Sequence, residues 1–211
     1  MDVHGFTVGP VAENCFFAAP DGSQRAIVVD PGEEADRLTG ALDELGLTVE
    51  AILLTHTHFD HVGAVAPVAK KTGAKVWCPE LEVRVLADIM SYVPWPGFGP
   101  FESYDADHTV AGGERLELAG MEIDVLFTPG HSPGHVTYSI PAEQVVFSGD
   151  VLFAGSIGRT DLPGGDAATL MRSLAMLVEA LPGETAVYPG HMGNTTIGRE
   201  RATNPFLAQL A

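Results

Sequence analysis

One short stretch constrains this chain more than any other. It places three histidines and an aspartate, His56, His58, Asp60 and His61, within six consecutive positions. The apolar run 51–54 before it predicts a buried strand, and the residues after it predict a helix. On an extended backbone His56 and His58 project to one side. Asp60 and His61 come where the chain turns, so their side chains can point in another direction. The segment could therefore serve two metal ions; the density of the cluster disfavours the alternative, unrelated surface histidines.

Three later segments also place a potential ligand just after a predicted strand and a glycine. They supply His131, Asp150 and His191. Glycine permits tight turns and a close approach of the backbone to a site. If these strand ends share one edge of two packed sheets, the side chains converge there. His135 is predicted to support the ligands or to be structural.

The ligands divide into two sets with one residue left over. One set is His56, His58 and His131, the other is Asp60, His61 and His191, and Asp150 remains as a bridge. Imidazole and carboxylate donors suit two divalent ions, zinc in the first place, with iron or manganese as alternatives. Two ions about 3.5–4 Å apart can share a hydroxide, because the pKa of zinc-bound water falls to about 7. The carboxylates expected to be catalytic are Asp60 and Asp150.

Length, charge and cysteine usage narrow the class of protein. The 211 residues suit one domain. A net charge of −17 disfavours a nucleic-acid surface. No apolar run approaches the roughly 20 residues of a membrane span, and the N-terminus lacks a signal core. We therefore expect a cytoplasmic protein without a membrane partner, in which Cys15 and Cys78 are buried thiols; the oligomeric state is left open.

Strand-like and helix-like runs alternate in both halves of the chain. Helices are predicted over 33–45, 80–91 and 166–181. In the second, the side chains predicted to face inward are those of Leu81, Val85, Leu86 and Ile89. Together with the strands they predict an α/β fold, a four-layer αββα sandwich. In the aromatic-rich segment 92–104 the apolar residues show neither helical nor strand-like spacing. It is interpreted either as a lid or pocket wall, or as a loop held to the core by its rings.

The ligand pattern resembles that of the metallo-β-lactamase superfamily. The stretch 55–61 matches its His-x-His-x-Asp-His signature, and His131, Asp150 and His191 match the remaining ligand positions in order. The resemblance covers nearly the whole chain. It implies the αββα fold over a single metallo-hydrolase domain, residues 1–211.

Within that superfamily the chain looks most like a short glyoxalase II, a hydroxyacylglutathione hydrolase. The supporting stretches are 128–135, 148–153, 155–161 and 203–206. The resemblance implies that a metal-bridging hydroxide attacks a small-molecule thioester such as S-lactoylglutathione. Arg159 falls near the position at which glyoxalase II keeps a basic residue for the carboxylates of glutathione, so the resemblance implies substrate contact; a structural salt bridge is the alternative.

One part of the glyoxalase II pattern is missing. The longer enzymes carry a helical segment after the last metal histidine, and it supplies cationic contacts to glutathione. Here only residues 192–202 occupy that place, and Arg199 and Arg201 are their only basic side chains. No separate C-terminal helical substrate domain is therefore expected, and the glutathione site is incomplete.

Other functions use the same ligands. A sulfur (persulfide) dioxygenase resembles the chain at Gly158-Arg159-Thr160-Asp161 and needs a single iron at positions such as those of His56, His131 and Asp150. A lactonase would direct the same hydroxide at a ring ester. β-Lactam hydrolysis is disfavoured by the absent secretion signal and by the aspartate at 150. A non-catalytic metal-binding module, the alternative of a different class, would bind metal without turnover.

Overall fold

A computed structural model describes residues 1–209, and most of its strands form two six-stranded sheets. The first sheet contains, in spatial order, β1 (Asp2–Val8), β2 (Glu13–Ala19), β3 (Arg25–Val29), β4 (Thr48–Leu53), β5 (Lys75–Pro79) and β6 (His108–Val110). The second begins with β7 (Arg115–Leu118), β8 (Met121–Phe127), β9 (Val136–Ile140) and β10 (Val145–Gly149). A separate ribbon consists of β11 (Leu152–Phe153) and β12 (Ser156–Ile157). The second sheet is completed by β13 (Ala186–Pro189) and β14 (Thr195–Thr196), and its spatial order is β14-β13-β10-β9-β8-β7.

The helices lie on the outer faces of the sheets or at the edge that carries the predicted ligands. They are α1 (Ala35–Leu45), α2 (Phe59–Val62), α3 (Val65–Thr72), α4 (Val83–Leu86), α5 (Ala167–Ala180) and α6 (Ile197–Thr203). The predicted cap of α5 is confirmed, because the carboxylate of Asp166 accepts a 2.7 Å hydrogen bond from the backbone N–H of Thr169. Across the described residues no helix has the length and apolar content needed to cross a membrane.

Three apolar cores separate four layers, which confirms the predicted αββα arrangement. The central core lies between the sheets, a second lies under α1 and α3, and a third lies under α5 and α6. On β3, Ile27 and Val29 join the central core while Val28 joins the helix-side core. Successive side chains of a strand point to opposite faces, so a sheet covered on both sides requires such uninterrupted apolar strands.

The sheet topology determines where the site forms. Strands β3, β4, β5 and β6 run parallel to one another, and β10 runs parallel to β13. The carboxyl ends of parallel strands lie at one edge of a sheet, and in α/β sheets ligands bind beyond those ends. The ligand-bearing turns that follow β4, β10 and β13 therefore begin at such edges.

The segment 80–91 is not the single helix expected, and Leu81 does not face inward. It consists of a 3-10 turn (Glu80–Glu82), helix α4 and a second 3-10 turn (Ile89–Tyr92). The buried side chains are Glu82, Leu86 and Ile89, whereas Leu81 is 66% exposed. Leu86 and Ile89 are buried as predicted, but Glu82 faces inward in place of Leu81 because its carboxylate makes buried hydrogen bonds. Cys15 and Cys78 are free and buried, as expected.

Candidate metal centre

Four turns bring the predicted ligands together at one edge of the sandwich. The extended residues after β4 lead into α2, with the backbone of His58 at φ −61° and ψ 145° immediately before the helix. The turns after β8, β10 and β13 supply the other ligands. The side chains that meet are those of His56, His58, Asp60, His61, His131, Asp150 and His191. Their binding of metal stays a prediction, whereas their convergence is a property of the structure.

One set of nitrogens gathers around His58. Nδ1 of His58 lies 3.1 Å from Nε2 of His56 and 2.8 Å from Nε2 of His131. Burial among neighbouring imidazoles lowers the pKa of His56 well below its ordinary value, and burial lowers the pKa of His58 to about 4. Neutral imidazoles offer lone pairs, so this group suits a cation.

The second set combines a carboxylate with two imidazoles. Oδ2 of Asp60 lies 3.3 Å from Nε2 of His191 and 3.8 Å from Nε2 of His61. Asp150 stands between the two sets: its Oδ1 is 3.4 Å from His61 Nε2, and its Oδ2 is 3.4 Å from His131 Nε2. The sequence-based division into two ligand sets with a bridging aspartate therefore agrees with the geometry.

Two buried atoms in this cluster fit a cation. Nε2 of His61 and Oδ1 of Asp150 are inaccessible to solvent, and neither makes a hydrogen bond within the described residues. Burial opposes charge on both, yet Asp150 raises the pKa of His61 well above its ordinary value, while His61 lowers the pKa of Asp150. Binding of a divalent ion would require His61 to release its proton and would satisfy both atoms. The chain's donors therefore fit two divalent ions.

The outer nitrogens of the histidines are held by acceptors, which orients the rings. Nδ1 of His131 donates to the carbonyl oxygen of Arg159 at 2.8 Å, and Nδ1 of His191 donates to that of Ala12 at 3.2 Å. With the proton on Nδ1, the lone pair of Nε2 faces the site. Such hydrogen bonds to the outer nitrogen are usual for metal-binding histidines.

Asp30 is a supporting residue that the sequence reasoning missed. Its carboxylate accepts from the backbone N–H of Thr55 (2.7 Å), from the Thr55 hydroxyl (2.6 Å) and from Nδ1 of His61 (3.0 Å). Because the Thr55 hydroxyl donates to Asp30, it accepts from Nδ1 of His56, 3.1 Å away. The sequence did contain a signal for Asp30. Like the predicted ligands, it stands at the end of an apolar strand beside a turn with glycine, here Pro31-Gly32.

His135 supports the bridging aspartate, which is one of the two roles predicted for it. Its Nε2 accepts a 3.0 Å hydrogen bond from the backbone N–H of Asp150. Its Nδ1 therefore carries the proton and donates to the hydroxyl of Thr128 at 3.0 Å. Burial lowers the pKa of His135 well below its ordinary value, which keeps the ring neutral.

Glu82 connects two ligand loops and was also missed. Its Oε2 accepts from the backbone N–H of Thr57 at 2.7 Å and from the Thr57 hydroxyl at 2.8 Å. Its Oε1 accepts from the backbone N–H of Gly134 at 2.9 Å and from the hydroxyl of Ser132. Thr57 lies between His56 and His58, and Ser132 follows His131. One carboxylate thus fixes the backbone on both sides of the first ligand set.

Five of the seven predicted ligands form the floor of a cavity of about 610 Å³; they are His58, Asp60, His131, Asp150 and His191. Both interpretations of the segment 92–104 apply to parts of it. Tyr92 and Trp95 line the cavity wall. Farther along, Phe98 and Phe101 pack on the ring of Phe59 at centroid distances of 4.7 and 5.9 Å.

Arg159 also lines the cavity, but its guanidinium is paired with an acid. It donates from Nε to Oδ1 of Asp161 at 2.6 Å and from Nη2 to Oδ2 at 2.7 Å. Contact with a substrate stays a prediction for Arg159, and the alternative ion pair is present.

A sequence comparison establishes the family. The model of the metallo-beta-lactamase superfamily matches residues 8–191. The chain belongs to this superfamily. Membership indicates a metal-dependent hydrolase, and the fold implies binding of divalent metal through the histidine and aspartate cluster described above.

Two curated relatives in this superfamily match the chain over nearly its whole length. It is 40% identical over 205 residues to the probable metallo-hydrolase YqgX of Bacillus subtilis (strain 168), covering 95% of this chain and 94% of the relative. It is 35% identical over 209 residues to the hydroxyacylglutathione hydrolase GloC of Haemophilus influenzae, covering 98% of each. The expected superfamily is confirmed.

Two solved structures show the same superfamily fold. The crystal structure of BLEG-1 B3 metallo-beta-lactamase matches with a TM-score of 0.92 and 40% identity, over 98% of this chain and 99% of that one. The crystal structure of TTHA1623 in a di-iron-bound form matches with a TM-score of 0.86 and 41% identity, over 97% of this chain and 100% of that one. These matches confirm the predicted fold.

Proposed function

We propose that this protein is a metal-dependent hydrolase of thioesters, of the glyoxalase II type. The observation that carries the proposal is the position of Asp150 between two three-residue ligand sets at the floor of a cavity. The similarity to the hydroxyacylglutathione hydrolase GloC supports the thioester as substrate. A cytoplasmic location remains part of the proposal.

The chain's residues define what the site can do. His56, His58, His131 and Asp150 would hold one divalent ion, and Asp60, His61, His191 and Asp150 the other. Two such ions, zinc or iron in the first place, lower the pKa of water and polarise a carbonyl.

Asp60 and Asp150 lie at the cavity floor, where their carboxylates can orient the attacking water by accepting a hydrogen bond from it. The thiol of a thioester leaves as a thiolate, so no strong acid from the chain is required.

Turnover of S-lactoylglutathione by zinc-loaded protein tests the proposal. Asp60→Ala and His191→Ala each remove a ligand of the second set, and we expect kcat/KM to fall at least about 100-fold, since even partners of metal ligands matter 10–100-fold. Asp105→Asn, an exposed acid outside the cavity, serves as control and should change kcat/KM by less than about twofold. Metal analysis of the same samples counts the ions bound.

The same measurements separate the alternatives. Absence of activity on any thioester, together with a single bound iron and oxygen uptake with a persulfide, would replace the proposal with a sulfur dioxygenase. Tight metal uptake without turnover of thioesters, lactones or persulfides would indicate a binding module.

β-Lactam hydrolysis is the second candidate, because the BLEG-1 structure is 40% identical over 98% of this chain. We expect a β-lactam to be hydrolysed more slowly than a thioester. Equal or faster β-lactam turnover would reverse this order.

A further inference from the structure

The walls above the ligand cluster are mainly apolar. Leu81, Val85, Ile89, Tyr92 and Trp95 line the cavity from the segment 80–95. Leu81 is 66% exposed, Tyr92 51% and Trp95 41%, so these side chains are not needed to fill the protein core. Exposed apolar side chains around a concave site are typical of a surface that binds an apolar group.

Other segments of the chain add further apolar lining to the cavity. Pro133, Leu162 and Pro163 line it, and Arg159 is the single arginine or lysine among the described lining residues. Three carboxylates, those of Asp60, Glu82 and Asp150, line the same cavity. The bound cations would offset charge at the floor, but the walls offer little to pair with a carboxylate of a ligand.

The arginine at the wall is already engaged. Both ends of its fork-like hydrogen-bonding edge donate to Asp161. Its guanidinium carbon lies 6.0 Å from the ring centroid of Trp95. The hydrogen bond from Arg159 lowers the pKa of Asp161 to about 2. A carboxylate of glutathione would have to share the guanidinium with Asp161 or displace it.

Arg199 and Arg201, which follow the last predicted ligand in the sequence, do not take the place of Arg159 at the cavity. Arg201 donates from Nη2 to the carbonyl oxygens of Val178 and Leu181, the latter at 2.7 Å, and so ties α6 to the end of α5. Neither Arg199 nor Arg201 lines the cavity. A glutathione peptide, with two carboxylates, therefore meets a single lysine or arginine among the described lining residues, Arg159, and that side chain is paired with Asp161.

We infer that the thioester taken by this site carries an uncharged, apolar group on its sulfur in place of the glutathione peptide. The inference rests on the proposed function and specifies its substrate class. The acyl carbonyl lies at the ligand cluster, and the apolar thiol portion lies along the wall formed by Leu81, Tyr92 and Trp95. Hydrolysis releases the acid and a neutral, apolar thiol.

A pair of substrates with the same acyl group tests the inference. The kcat/KM of zinc-loaded protein is measured with S-lactoylglutathione and with the S-lactoyl thioester of 2-phenylethanethiol. We expect the phenylethyl thioester to be favoured at least about tenfold, a factor that burial of roughly 60 Å² of apolar surface supplies. Calorimetry with the two corresponding non-hydrolysable thioethers should show the same preference in Kd.

Two variants should move the preference in opposite directions. Trp95→Ala should lower kcat/KM for the phenylethyl thioester at least about fivefold and change that for S-lactoylglutathione less than twofold. Asp161→Asn releases Arg159 and should raise kcat/KM for S-lactoylglutathione several-fold without affecting the phenylethyl thioester. Asp105→Asn, which removes the same charge at an exposed position outside the cavity, should change neither.

The outcomes distinguish this inference from the proposed function. Equal or better use of S-lactoylglutathione, or equal losses for both substrates in Trp95→Ala, would overturn the apolar thiol and leave thioester hydrolysis standing. Failure to hydrolyse either thioester with both metal sites filled would overturn the proposed function and the inference with it.

Discussion

At the scale of single residues, the supporting carboxylates are as informative as the ligands. Glu82 accepts four hydrogen bonds and joins the loop of His56 and His58 to that of His131. Its position on the wall-forming segment also connects the cavity to the metal centre. Asp30 likewise joins His61 to Thr55, although its backbone φ of 47° is uncommon for a residue other than glycine.

Replacing Glu82 with glutamine tests this connection. The side-chain volume is kept, but one acceptor oxygen becomes a donor, so the backbone N–H of either Thr57 or Gly134 loses its partner. We expect the free energy of unfolding of the metal-free protein to fall by about 1–3 kcal/mol, the cost of one buried unpaired group. Urea denaturation measures it.

Glu80, an exposed residue of the same 3-10 turn, provides the matched control. Glu80→Gln should change the free energy of unfolding by less than about 0.5 kcal/mol. Equal stability of the Glu82→Gln and Glu80→Gln variants would contradict a connecting role for Glu82.

At the scale of elements, the turn after β13 is packed against the second ligand set. The backbone N–H of Gly190 donates to the carbonyl oxygen of Gly149 at 2.9 Å, and its own carbonyl oxygen accepts from the N–H of Asn14 at 2.7 Å. A Cβ at position 190 would collide with the carboxylate of Asp150 and the ring of His61. The turn therefore requires glycine for space next to the ligands.

Gly190→Ala is expected to weaken metal binding at least about tenfold, because Asp150 and His61 must move away from the added methyl group and so out of their positions in the ligand set. Competition with a chromophoric chelator measures the affinity. Gly193→Ala, where the added methyl group meets no atom within 4 Å, is the control. An affinity in Gly190→Ala equal to that of the control would show that the turn is not coupled to the site.

The sequence predicted those elements whose signal is local. Strand ends followed by glycine and a ligand could be recognised, as could the capped helix at Asp166, because spacing and cap chemistry lie within a few residues. The side of the segment 80–91 that faces inward could not be predicted from the sequence. Its orientation depends on donors from Thr57 and Gly134, which are distant in the sequence, and an apolar Leu81 facing a cavity looks like a core residue.

At the scale of the whole molecule, the metal centre joins the two sheets. The first half of the chain supplies Asp60 and His61 to the second ligand set, and the other half supplies His191. Bound ions would therefore stabilise the packing of one sheet on the other. The net charge of −17 adds to this effect, because cations reduce the repulsion among acidic groups.

Removal of metal should lower the melting temperature. Binding to the folded state alone stabilises by about 2.7 kcal/mol at a free ion concentration 100 times Kd. Differential scanning fluorimetry with a chelator, and then with excess zinc, measures the loss and its reversal. In His191→Ala the chelator should lower the melting temperature by less than it does in the unaltered protein. A melting temperature that is indifferent to chelation in the unaltered protein would contradict metal binding at this interface.

Because each ligand set takes residues from both halves of the chain, a cut between the two sheets divides both ion sites. A cut within residues 111–114, between the last strand of the first sheet and the first strand of the second, leaves each fragment with only two protein donors per ion. His56 and His58 would be separated from His131, and neither fragment alone would chelate as the intact chain does. Recovery of zinc uptake on mixing the two fragments would then report their reassembly, which makes the chain suited to fragment complementation.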